Sequence, residues 1–170
     1  MKSIFCLLLL LSSAIGYAQE EENKHIETDR PNEAEVPYLV PKKYIQIETG
    51  IRRERAESYL KTELHPSFLA KFGVSDRLEL RMATKYITEA VDAPAFRKRQ
   101  SGIPPVELGG KVALLKEHKW IPRTALLAET GIPSFATGPF KANHLSPTFR
   151  LLMENNLTSA LSLTYNVGVS

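Results

Sequence analysis

His65, Ser67 and Glu79 are the residue types of a base, a hydroxyl nucleophile and an orienting carboxylate. Such a trio works only when the base lies within about 3 Å of the hydroxyl and the carboxylate stands behind the base. His65 and Ser67 share one segment, and Glu79 lies on the next, beyond a turn over Gly73-Val74-Ser75-Asp76. Pairing the two segments about that turn sets Glu79 opposite Leu69 or Lys71. At about 3.3 Å per residue, Glu79 then lies roughly 7–13 Å along the strand from Ser67. Pro66 also separates His65 from Ser67. A lipid hydrolase built on these three is an alternative reading, and no catalytic residue is assigned.

A second chemistry is carried by charge. Glu48, Glu79, Glu107, Glu129 and Glu154 alternate with apolar neighbours along the chain, as do Arg52, Lys71, Arg77, Arg81, Lys85, Lys111, Arg123 and Arg150. If these side chains line a lumen, acids and bases on facing strands should pair, because an unpaired charge in a confined space is costly. A basic excess could also select anionic solutes or tune a pore. His25, His118 and His144 have neither mutual ligand spacing nor a cysteine partner, so no metal or cofactor is expected. No glycine-rich phosphate loop is present. The formal charge of +3 comes without an Arg-rich face, which argues against nucleic acid.

The elements that must position these groups are strands. From Glu63 to Thr88, Leu64, Pro66, Phe68, Ala70 and Phe72 alternate with His65, Ser67, Leu69 and Lys71. On the way back, Leu78, Leu80, Met82, Thr84 and Tyr86 alternate with Arg77, Glu79, Arg81, Ala83 and Lys85. A period of two places neighbouring side chains on opposite faces of a strand. One face is apolar and uncharged, and each arm has about the 9–11 residues that cross a bilayer when tilted. The same pattern recurs at 43–53, 105–116, 121–131, 144–154 and 160–170, which gives seven strands. Connections at 54–61, 89–104 and 132–143 are longer than those at 73–76, 117–120 and 155–159. Long loops at one end and tight turns at the other fit an outer-membrane barrel. Tyr44, Phe72 and Trp120 at the turn end, with Tyr59 and Tyr86 at the loop end, fit interfacial girdles. A soluble sandwich or lipid-binding barrel also alternates, but its second face would be a packed core.

The N-terminus reads as a signal peptide, with Lys2, an apolar run Ile4 to Leu11, and small residues that place cleavage after Ala18. The single cysteine, Cys6, falls inside it. Losing Lys2 from 22 basic residues leaves 21 against 19 acidic, a mature charge of +2. Residues 19–42 are polar, and Pro31, Pro37 and Pro41 block a helix or a central strand. This stretch is an extended periplasmic or plug segment, in which Asp29 and Arg30 could fold inward and pair with wall charges. Residues 43–170 form the barrel domain. Arg97, Lys98 and Arg99 sit in the longest loop, where lipopolysaccharide phosphates are candidate partners.

Several pieces together carry a resemblance. They include Thr28-Asp29-Arg30-Pro31, the run from Pro37 to Gly50, Gly73 to Arg81, Val106 to Lys111, His144 to Arg150, and Leu163 to Gly168. From about residue 26 to the end, the chain resembles the family named for the meta-pathway of phenol degradation, whose members are labelled outer-membrane transporters. The resemblance implies a Gram-negative outer-membrane barrel that passes small hydrophobic or aromatic solutes, and it brings no catalytic residues. His65, Ser67 and Glu79 separately resemble the His-x-Ser plus Glu arrangement of outer-membrane lipid A deacylases.

The expectation is therefore an all-β, antiparallel up-and-down transmembrane β-barrel of seven strands. An even count of at least eight is usual, so the sequence reads as a truncated barrel. Its partners would be outer-membrane lipid, lipopolysaccharide, the barrel-assembly machinery and a small solute. A structural barrel without transport is the nearest rival.

Overall fold

The computed structural model describes residues 28–29, 34–55, 60–93 and 96–170. The signal peptide, Arg30 and Tyr59 lie outside the described residues. The fold is an all-β, antiparallel sheet curved into an open half-barrel. Its strands are β1 (Ile45–Arg55), β2 (Leu60–Ser75), β3 (Leu78–Ala93), β4 (Phe96–Gly102), β5 (Val106–Leu115), β6 (Arg123–Ile132), β7 (Ser146–Thr158) and β8 (Leu161–Val169). The path across the sheet is β1-β2-β3-β5-β6-β7-β8, with β4 paired to β3.

The seven expected strands make up the path across the sheet, and an eighth, β4, comes from the long loop. Residues 89–104 are largely hairpin, with Ala93 opposite Phe96 and Ile87 opposite Gly102. Beyond Gly102 the same edge of β3 is taken up by β5, from Ala83 opposite Glu107 to Leu78 opposite Val112. β4 and β5 are thus one wall strand interrupted at Pro104-Pro105. Proline has no N–H for the ladder, so the break falls there. The polar sequence of β4 hid it, because a hairpin exposed to solvent needs backbone pairing more than apolar alternation. The loop at 132–143 carries two short 3-10 turns, Pro133–Phe135 and Gly138–Phe140.

The hairpin turn also moves. The turn residues are Asp76-Arg77, and Ser75 pairs with Leu78 across them. The Arg77 N–H donates to Ser75 Oγ at 3.2 Å. Gly73 is not a turn residue but part of β2, and it is the point where the N-terminal segment crosses the sheet. Lys43 N donates to Gly73 O at 2.7 Å, and Gly73 N donates to Tyr44 O at 3.0 Å. A Cβ at Gly73 would overlap the carbonyl oxygens of Pro41 and Val40. Only glycine permits that approach.

The two faces of the sheet differ as the alternation requires. Outward side chains include Ile45, Ile47, Leu80, Phe149, Val167 and Val169, all exposed. Tyr44, Phe72 and Trp120 are exposed at the turn end, and Tyr86 is exposed further along β3. The concave face is buried under residues 34–42, which run across it in extended form. Ala125, Leu127 and Leu152 form its apolar centre, and Leu39 packs against them. Fully burying a leucine contributes about 1.5–3 kcal/mol, so Leu127 and Leu152 anchor the segment strongly. No described helix is long and apolar enough to cross a membrane, which says nothing of β-strands.

Candidate functional site

The concave face of β1, β2, β3, β5 and β6 holds a network of charges centred on Asp29. Its side chain is almost completely enclosed. The carboxylate accepts from Lys71 Nζ at 2.9 Å and from Lys111 Nζ at 3.3 Å, and it stands 3.6 Å from Arg81 Nη1. It also accepts the Val36 N–H at 3.2 Å, while the Asp29 N–H donates to Glu48 Oε2 at 3.1 Å. Burial alone would raise the pKa of this carboxyl. The charges of Lys111, Lys71 and Arg81 outweigh burial and hold it below its ordinary value.

The wall cations divide between the wall and the segment. Lys71 also pairs with Glu48, diagonally across β1 and β2. Arg81 Nε lies 2.9 Å from Glu129 Oε1, as an ion pair whose angle makes no hydrogen bond. Arg81 on β3 and Glu129 on β6 both stand opposite Gly109 of β5. A side chain at Gly109 would overlap Glu129 and the Ala128 carbonyl, so the glycine opens the path between the two charges. Arg81 Nη1 reaches Glu35 at 2.9 Å, and Arg150 reaches the same carboxylate at 3.4 Å.

Lys111 is fully buried, and among the described residues its hydrogen-bond partners all come from the segment. They are Asp29, the Val36 carbonyl at 2.9 Å and the Tyr38 carbonyl at 3.3 Å. Glu79, also fully buried, accepts the Val40 N–H at 2.7 Å on Oε2, while its Oε1 has no hydrogen-bond partner. Tyr38 donates its hydroxyl to Glu154 at 2.8 Å, and Thr164 donates to the other Glu154 oxygen at 2.9 Å. The Arg123 guanidinium lies 4.6 Å over the Tyr38 ring, a cation–π distance. Burial and the Glu154 contact raise the Tyr38 pKa.

Most of the expected inward charges thus meet in one network, but not all do. Arg77 lies exposed at the hairpin turn, because the turn is two residues further on than the sequence suggested. Arg52 and Glu107 are exposed, and Lys85 is half-buried. Lys85 and Glu107, with Glu35, Arg81, Glu129 and Arg150, border a cavity of about 280 Å³ at the loop end of the concave face. Sequence reasoning missed Glu35, Tyr38 and the crossing role of Gly73. The apolar residues Val36, just before Pro37, and Leu39 and Val40, between Pro37 and Pro41, were the available signal.

The hydrolase trio is not assembled. Ser67 pairs with Lys85, and Glu79 pairs with Gly73, not with Leu69 or Lys71. Six residues of strand separate the positions of Ser67 and Glu79 along β2, roughly 20 Å at the strand rise. The Ser67 hydroxyl donates to the Gly50 carbonyl at 3.2 Å, and the Glu79 carboxylate holds Val40. Among the described residues, no group of His, Cys, Asp or Glu is arranged to hold a metal ion.

Over residues 28–170 the sequence matches the family described as "Putative MetA-pathway of phenol degradation". No curated protein and no solved structure matches the chain.

Proposed function

The chain belongs to the MetA-pathway phenol-degradation family, and we propose that it is an outer-membrane barrel wall for the passive passage of small hydrophobic or aromatic solutes. The observation that carries this reading is the opposition of its two faces. The outward row of β3, with Leu80, Met82 and Tyr86, is apolar and exposed, whereas the inward row holds two buried charges, Glu79 bonded to the Val40 amide and Arg81 ion-paired to Glu35 and Glu129. In a soluble sheet the buried face is the apolar one. In a bilayer the apolar face meets lipid and the polar face lines the lumen.

On this reading the protein is exported to a Gram-negative outer membrane by its signal peptide and folded there by the barrel-assembly machinery. Arg97, Lys98 and Arg99, exposed on β4, would face the phosphates of lipopolysaccharide. The N-terminal segment would sit in the lumen as a plug, with Asp29 as its anchor. The protein would carry no catalytic step.

The test is the protein expressed from its first residue in a Gram-negative host. Detergent-dependent extraction, a compact gel band that shifts on boiling, and conductance in planar bilayers are expected. Release without detergent would replace this reading with a soluble lipid-binding barrel. Extraction by detergent without conductance would leave a structural barrel. Ester cleavage abolished by Ser67→Ala would restore the hydrolase.

A further inference from the structure

The segment does more than fill space, because it brings two different chemistries to two adjoining places on the wall. Asp29 puts a carboxylate among Lys71, Arg81 and Lys111. Leu39 puts an apolar side chain on Ala125, Leu127 and Leu152. The two receptors touch, since Lys111 and Leu127 are direct cross-strand partners. Such a pair is about 5 Å apart, within the span of one small molecule.

The cations also differ in what they would keep if the segment left. Lys71 would retain Glu48, and Arg81 would retain Glu129. Lys111 would lose every acceptor it has among the described residues. With the segment gone, Lys111 would face the lumen without its close acceptors and beside two further cations, so the vacated wall attracts an anion in place of Asp29. Glu79, across from Lys111, is the wall's own competitor. Even so, the native arrangement ionises Asp29 more readily than in water, with Glu48 and Glu129 nearby.

From this geometry we propose that the pocket bounded by Lys71, Arg81, Lys111 and Leu127 binds a small monocarboxylate with an apolar body. Asp29 and Leu39 occupy it in cis until the solute displaces them. The proposal rests on the solute-passage reading and narrows its solute class. An apolar acid satisfies both receptors at once, whereas an inorganic anion satisfies one and a neutral alcohol the other.

Hexanoate is the probe, with hexanol and sodium chloride of equal ionic strength as controls. The full protein in detergent is followed by hydrogen exchange of residues 34–42, whose Val36 and Val40 amides are bonded to Asp29 and Glu79. Hexanoate should accelerate that exchange saturably, and neither control should. Asp29→Asn should reach half-effect at no more than about a tenth of the hexanoate, since neutralising Asp29 weakens its contacts to Lys71, Arg81 and Lys111 together and one such contact is already worth about that factor. Equal responses to hexanoate and chloride would mean screening alone and overturn the site. Equal responses to hexanoate and hexanol would mean apolar displacement without carboxylate recognition, and would also overturn it. If Asp29→Asn does not fold, the comparison of the three solutes on the unaltered protein still decides. Conductance without a hexanoate effect removes this site and leaves solute passage standing. A hexanoate effect without conductance keeps the site and removes passage.

Discussion

Glu79 and Lys111 stand directly opposite one another on β3 and β5, yet each makes its close bonds to the N-terminal segment. Glu79 holds the Val40 N–H, and Lys111 holds Asp29 and two carbonyls of the same segment. Two buried opposite charges on neighbouring strands would ordinarily satisfy each other. Their diversion makes the segment part of the electrostatic structure of the wall.

Removing the anchor should free the segment. Asp29→Ala strips Lys111 of its ion-pair partner, and breaking a buried pair typically costs about 3–5 kcal/mol. The expected outcome is proteolysis within residues 34–42 while the strand signal in circular dichroism is retained. Continued protection of these residues would show that the Leu39 contact alone holds them.

Acid should free it as well, in a defined direction. The folded Asp29 carboxyl has a lowered pKa, set by burial and, in opposition, by Lys111, Lys71 and Arg81, with Glu48 and Glu35 also facing the cluster. A lowered folded value means the stabilisation is full above the ordinary aspartate value of 3.8 and is lost as pH falls through the folded value. Segment exchange should therefore stay slow from neutral pH down to that value and rise below it. In Asp29→Asn this part of the rise should be missing.

Gly73→Ala should act on the segment before it acts on the sheet. The new Cβ would meet the Pro41 and Val40 carbonyls, whereas β2 itself accepts alanine in extended conformation. Exchange at Val40 and Lys43 should increase, with the β2–β3 ladder still protected. Loss of the ladder instead would show that the crossing is needed to form the hairpin.

The outward face can be tested by charge. Met82→Arg places a guanidinium at an exposed apolar position on β3, between the girdle positions of Phe72 and Tyr86. On a lipid-facing strand near the bilayer midplane this should cost about 2–4 kcal/mol of folding stability in lipid vesicles. No loss in lipid would argue that this face meets water.

The sequence by itself determined the strands and their two faces. Alternation set Leu78, Leu80 and Met82 against Glu79, Arg81 and Ala83, because a strand has period two whatever surrounds it. It also marked Asp29 as a residue that could reach the wall charges. Tertiary structure decided the register and the partners. Glu79 was expected opposite Leu69 or Lys71 and stands opposite Gly73, because the turn falls at Asp76-Arg77. Pairing of distant residues, such as Arg81 with Glu129 across Gly109, depends on which strands are neighbours. No local pattern carries that information, since contacts across a sheet join residues far apart in the chain. The hairpin of β3 and β4 was hidden for the opposite reason. Its polar arms are joined by backbone hydrogen bonds, which every residue but proline can make, so side-chain alternation does not report them.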